Sequence, residues 1–114
     1  MIDDNVEITN MMSKFLKLSG HDCTVSNDAR NGLALIENQK FDTVLLDVAM
    51  PEFSGYDVVE HLSKNDKLKE NKIILFTASS VSNDKIDEMI KKGVHSCLRK
   101  PIGLDELLKS VEGR

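Results

Sequence analysis

Four places in the 114-residue chain set polar side chains directly after short apolar runs. These are Asp3-Asp4 after Ile2, Asp47 after Thr43-Val44-Leu45-Leu46, Thr77 after Ile73-Ile74-Leu75-Phe76, and Lys100 after the Val94–Arg99 segment. Brought to one rim, three carboxylates, a hydroxyl and an ammonium suit a hard divalent cation beside a phosphoryl group. Mg²⁺ takes carboxylate and water oxygens in near-octahedral geometry and leaves room for phosphate oxygens. An ionised Asp47 can attack phosphorus in line once positive charge offsets the repulsion, Lys100 can pair with phosphoryl oxygens as a point charge, and Thr77 can donate one hydrogen bond. Each residue alone has a plainer reading. Asp3-Asp4 could cap the helix that begins near Val6, Asp47 could end a strand, Thr77 could be an ordinary β-branched strand residue, and Lys100 a solvated charge ahead of Pro101. Four plain readings falling together at the ends of four strands is the less economical account.

The elements that must position these residues follow from periodicity. From Val6 to Ser19, Ile8, Met11, Met12, Phe15 and Leu16 recur at helical spacing, and Gly20 is placed to cap the C-terminus. Cys23-Thr24-Val25-Ser26 predicts a short strand. Asn27 or Asp28 then caps a helix burying Ala29, Leu33 and Ile36. The run Thr43–Leu46 reads as a strand buried on both faces, and a loop over Met50–Gly55 leads into a helix marked by Tyr56, Val59 and Leu62. Ile73–Thr77 is a further buried strand. Ile86, Met89 and Ile90 mark a helix stopped by Gly93, Val94–Leu98 a last strand, and Leu104, Leu107, Leu108 and Val111 the buried face of a terminal helix. Strands alternating with helices predict an α/β fold, a parallel sheet covered on both sides, with ligands outside the carboxyl ends of the strands.

Length and composition bound the rest. A chain of 114 residues with 40% hydrophobic content predicts one self-sufficient domain over residues 1–114. A formal net charge of -4 argues against direct nucleic-acid binding, which favours a basic excess. No apolar run approaches the roughly 20 residues that cross a bilayer, and no secretory signal pattern opens the chain, so a cytoplasmic protein without membrane attachment is expected. Cys23 and Cys97 lack metal-ligand spacing and are expected to stay reduced and unpaired.

Asp3-Asp4-Asn5, the stretch Leu45-Leu46-Asp47-Val48-Ala49-Met50-Pro51 with Gly55 four residues after the proline, Thr77-Ala78 and Lys100-Pro101 stand in one order and spacing. The pattern resembles the receiver domain of two-component response regulators over nearly the whole chain. The resemblance implies a doubly wound parallel five-stranded sheet of order 2-1-3-4-5 with helices on both faces. It implies Asp47 as phosphoacceptor and Thr77 and Lys100 as phosphoryl-binding residues. For Mg²⁺ it implies Asp4 as a direct ligand, Asp3 as a mostly water-mediated one, Asp47 itself and the carbonyl of Ala49, and it implies a cis Lys100-Pro101 peptide. The implied partners are a sensor histidine kinase or phosphotransfer protein and a downstream protein or output domain, with a homodimer as a further option. Such a domain is a signalling module rather than an enzyme, beyond self-catalysed phosphotransfer and dephosphorylation. A non-phosphorylated interaction module on the same fold is the alternative, and a small phosphotransfer enzyme with an Asp nucleophile a remote third. The usual output surface is the face of the fourth helix, fifth strand and fifth helix, here with Asp84, Lys85, Lys91, Lys92 and Arg99 as exposed candidates.

Two features depart from the pattern. Cys97 stands where the family usually has Tyr or Phe, three residues before the lysine, so a switch that buries a large ring cannot operate unchanged. The first strand offers Met1 and Ile2 alone before the acidic pair. It is expected to be truncated or nearly absent, leaving inner strand edges open to pairing with another molecule.

Overall fold

The computed structural model describes residues 1–48, 53–65, 68, 71–77, 82–100 and 103–112, with the side chain of Thr77 outside that description. The elements are α1 (Val6–Leu18), α2 (Ala29–Asn38), β1 (Val44–Asp47), α3 (Gly55–Lys64), β2 (Ile73–Thr77), α4 (Asn83–Lys92), β3 (Ser96–Arg99) and α5 (Leu104–Glu112). The three strands are parallel in the order β1-β2-β3, with Leu46 beside Leu75 and Leu75 beside Cys97. This is the α/β parallel arrangement that the alternating pattern predicts.

The expected five-stranded order with a truncated first strand is present in reduced form. Among the described residues three regular strands form, and the two remaining strands are reduced to single parallel bridges, Ile2 with Ser26 and Ile2 with Leu46. Cys23–Ser26 is thus not a regular strand, because the chain beside it is ordered as a partner only over Met1–Asp3. Within that stretch pairing is complete on both sides: Ile2 N–H donates to the Leu45 carbonyl at 2.7 Å and Asp47 N–H to the Ile2 carbonyl at 2.8 Å. On the other side Asp3 N–H donates to the Ser26 carbonyl at 3.1 Å and Ser26 N–H to the Met1 carbonyl at 2.9 Å. Ile2 therefore lies between Ser26 and Leu46, a 2-1-3 order in miniature. The first strand is truncated as expected, and at Ile2 itself neither neighbouring edge is left unpaired. Below Met1 the row stops and an open recess of about 1040 Å³ follows, bounded by Cys23, Thr24, Thr43 and Leu45 among others.

Side-chain alternation sorts the core into two layers. Val44 and Leu46 of β1 and Ile73 and Leu75 of β2 join Ala29, Leu33, Ile36, Val58, Val59, Leu62 and Met89 on the α2–α3–α4 side. Leu45, Ile74, Phe76 and Leu98 meet Met12, Leu16 and Leu107 of α1 and α5 on the other. Each such fully buried aliphatic or aromatic side chain stabilises the fold by about 1.5–3 kcal/mol relative to exposure. The helix faces expected from periodicity are corrected at their margins. Ile90 and Leu104 remain exposed, and Met11 is exposed on the outer side of α1.

Helix starts are built by local capping. Asn5 caps α1 by accepting from Ile8 N–H, and Asp28 caps α2 by accepting from Arg30 and Asn31 N–H. Asp3 and Asp4 are therefore not the caps of the first helix. Ser54 and Asp57 form a reciprocal capping box on α3. The Asp57 carboxyl is held below its ordinary value chiefly by the hydrogen bond from Ser54 N–H.

Candidate functional site

At the carboxyl end of β1, Asp47 is buried, and the bridge to Ile2 brings Asp3 alongside it, also buried. Asp4, next in the chain, is exposed. One carboxylate oxygen from each of Asp3, Asp4 and Asp47 lies within 4.8 Å of the others. Lys100, just after β3, reaches across β2's end to donate to Asp3 Oδ2 at 3.1 Å and to Asp47 Oδ1 at 3.4 Å. Burial pulls the Lys100 ammonium toward deprotonation, but the hydrogen bond to Asp3 and the charges of Asp47 and Asp3 outweigh it and hold its pKa above the ordinary value. Two buried carboxylates near one another would repel, and the ammonium between them makes the arrangement tenable.

The backbone beneath the site is tightly packed. Gly55 N–H donates to the Val48 carbonyl at 3.3 Å, and a Cβ at Gly55 would meet the Asp47 carbonyl oxygen at 2.3 Å and Val48 Cα at 2.7 Å. Only glycine allows α3 to start this close to the strand that carries Asp47. The acidic pair is fixed by its own turn: Asn5 N–H donates to Asp3 Oδ1 at 2.9 Å. Asn27 Nδ2 donates to the Asp3 carbonyl at 2.8 Å and to Thr9 Oγ1 at 2.9 Å.

Of the residues singled out by sequence, Asp3, Asp4, Asp47 and Lys100 converge. Thr77 ends β2 in register with Arg99, one residue before Lys100, while its hydroxyl lies outside the described atoms. Ala49, and Pro101 with its peptide bond, fall outside the described residues. Asn27 appeared in the sequence only as a possible helix cap; its reach to Asp3, across 24 positions, had no local signal. Cys97 and Tyr56 are both half-buried against the α2–α3–α4 core, and Cys23 and Cys97 are not joined in a disulfide. The donor set fits a divalent cation such as Mg²⁺: three carboxylates converge, two buried and one open to solvent, where water ligands can complete an oxygen shell.

Comparison with known proteins agrees with this geometry. The sequence is 31% identical over 98% of its length to the transcriptional regulatory protein CpxR homolog of Haemophilus influenzae, covering 47% of that protein. It is 26% identical over 97% of its length to protein PilH of Pseudomonas aeruginosa, covering 91%. The chain thus spans about half the length of several curated relatives. Among solved structures, the chemotaxis protein CheY4 of Vibrio cholerae superposes with a TM-score of 0.85 at 28% identity, covering 97% of this chain and 92% of that one. The receiver domain of Francisella response regulator 1452 does so at 0.86 and 28%, covering 96% and 88%. The family model described as the response regulator receiver domain matches residues 1–112, and the chain belongs to that family of signalling domains.

Proposed function

We propose that the chain is a phosphoacceptor receiver in which Asp47 takes a phosphoryl group from a histidine kinase or phosphotransfer protein and passes the change to a partner surface. The observation that carries the reading is the convergence of Asp3, Asp4, Asp47 and Lys100 from three separate segments. An Asp47 carboxylate oxygen attacks phosphorus, the new P–O bond forms as the P–N bond of a phosphohistidine breaks, and the imidazole leaves with a proton. Lys100, already 3.4 Å from Asp47 Oδ1, exchanges part of its carboxylate contact for the incoming phosphoryl oxygens. Asp3, Asp4, Asp47 and, by resemblance, the Ala49 carbonyl would hold Mg²⁺, which when bound supplies positive charge to the phosphoryl oxygens. Thr77, at the end of the central strand, is the candidate hydroxyl donor. Water attack on the acyl phosphate returns the carboxylate, so the domain resets without being an enzyme for an external substrate.

A cytoplasmic location follows from a kinase partner, and no helix among the described residues is long and apolar enough to cross a membrane. The test is intact-protein mass spectrometry after incubation with phosphoramidate and Mg²⁺. One phosphoryl adduct is expected, absent from Asp47→Asn. An adduct on both proteins would remove Asp47 from the role, and an adduct on neither would favour the non-phosphorylated interaction module.

A further inference from the structure

We infer that Asn27 is a positioning residue for the metal-binding pair, fixing the peptide plane between Asp3 and Asp4 and through it the direction of the Asp4 carboxylate. The inference rests on the reading of Asp3, Asp4 and Asp47 as cation ligands. Its starting point is the shortness of the first strand: Ile2 makes single bridges to its neighbours, and the row's pairing ends with the Asp3 N–H. Asp4 lies beyond the last strand-type hydrogen bond, exposed and in a bend, so sheet pairing alone does not orient it.

The dipeptide Ser26-Asn27 supplies what the strand does not. The Ser26 carbonyl accepts from Asp3 N–H at 3.1 Å, and Asn27 Nδ2 donates to the Asp3 carbonyl at 2.8 Å. Because a peptide is planar, holding the Asp3 carbonyl also fixes the amide of Asp4 and the position of its Cα. Asn27 is itself held. Its second Nδ2 proton goes to Thr9 Oγ1 at 2.9 Å, on a residue that is fully buried in α1. Thr9 in turn donates its hydroxyl proton to the Val6 carbonyl at 3.0 Å. Both neighbours of the Asn27 amide are therefore acceptors, and only the NH₂ group satisfies the two of them. Asn27 ties together the strand residue, the acidic turn and the first helix.

The experiment measures Mg²⁺ affinity by calorimetric titration alongside thermal melting, for wild type, Asn27→Ala, Thr9→Val and Asp4→Ala. Asn27→Ala is expected to weaken Mg²⁺ binding by about 10-fold, at the lower end of the 10- to 100-fold range seen when groups that orient ligands are removed. Thr9→Val, which leaves the bond to Asp3 in place, is expected to lower the melting temperature while changing affinity by less than about 2-fold. A purely structural role predicts lowered melting for both variants and unchanged affinity, and that result overturns the inference. The ligand reading fails separately, and takes the inference with it, if Asp4→Ala binds Mg²⁺ as wild type does. Should Asn27→Ala not fold, the wild-type side-chain NH₂ resonances of Asn27 provide the readout: they are expected to shift on Mg²⁺ titration, and their silence overturns the proposal.

Discussion

Lys100 serves two buried carboxylates at once, and its removal takes its ammonium from both. Breaking a buried pair costs about 3–5 kcal/mol, and the partly exposed ammonium reduces this to about 1–3 kcal/mol for Lys100→Met. The expected signature is a lower melting temperature whose gap from wild type narrows when Mg²⁺ is added, because the cation restores charge at the same oxygens. An unchanged gap in melts with and without Mg²⁺ would show that the two charges act at different places. The pH dependence has a definite sign. With its folded-state value raised, Lys100 contributes its full stabilisation below the ordinary value of 10.5 and loses it as pH rises through the higher one. Wild-type and Lys100→Met melting temperatures should therefore converge above about pH 10.5. Gly55→Ala places a methyl against the Asp47 carbonyl and Val48 Cα, neither of which can swing aside. A loss of about 1–3 kcal/mol is expected in denaturant unfolding, with weakened phosphorylation, since α3 must retreat from the strand carrying Asp47. At this scale the sequence was informative where chemistry follows an apolar run, as at Asp47 and Lys100. It was silent on Asn27, whose role depends on two partners brought near by folding.

Among the elements, buried strands and amphipathic helices were legible because their patterns are set by the core they face: β1 and β2 supply residues alternately to the two layers. Cys23–Ser26 was legible as extended chain but not as the absence of a ladder, which depends on a neighbour rather than on its own residues. The recess below Met1 is the consequence. There the terminal ammonium donates to the Thr24 carbonyl at 2.7 Å, and burial lowers its pKa below the ordinary value. A variant carrying three aliphatic residues ahead of Met1 is expected to extend the row between Thr24 and Thr43 and move the charge outward. A gain of about 1 kcal/mol would raise the melting temperature by roughly 4–8 °C in a domain of this size. Equal melting of the extended and present chains would mean that the recess does not accept a strand. The Ser54 cap makes a smaller, separate contribution: Ser54→Ala should cost about 1 kcal/mol in the same assay.

Across the whole molecule, the surface expected to carry output is more internally tied than composition suggested. Lys92 is half-buried and paired with Glu60 of α3 and Glu88 of its own helix, and Arg99 donates to Asn83 Oδ1 at 2.6 Å. Neither is a freely exposed candidate. Lys85 stands over the Tyr56 ring at 4.8 Å, and Tyr56 packs with Cys97 on the same core. These ties join α3, α4 and β3 without a large ring at position 97. On phosphorylation, amide shifts are expected through residues 83–99 as well as around Asp47, and shifts confined to Asp47 and its neighbours would place the output surface elsewhere. The ion pairs of Lys100 span 97 positions to Asp3 and 53 to Asp47. Such separations slow assembly, since loop closure precedes any gain from contact. The site thus comes into being only when the segments carrying Asp3, Asp47 and Lys100 have met, which makes phosphoryl acceptance a report on that assembly. During refolding in the presence of phosphoramidate and Mg²⁺, the adduct should appear with the slowest folding phase. On the ribosome, a chain that has not yet exposed Lys100 would carry its two aspartates without their counter-charge and stay deaf to the signal.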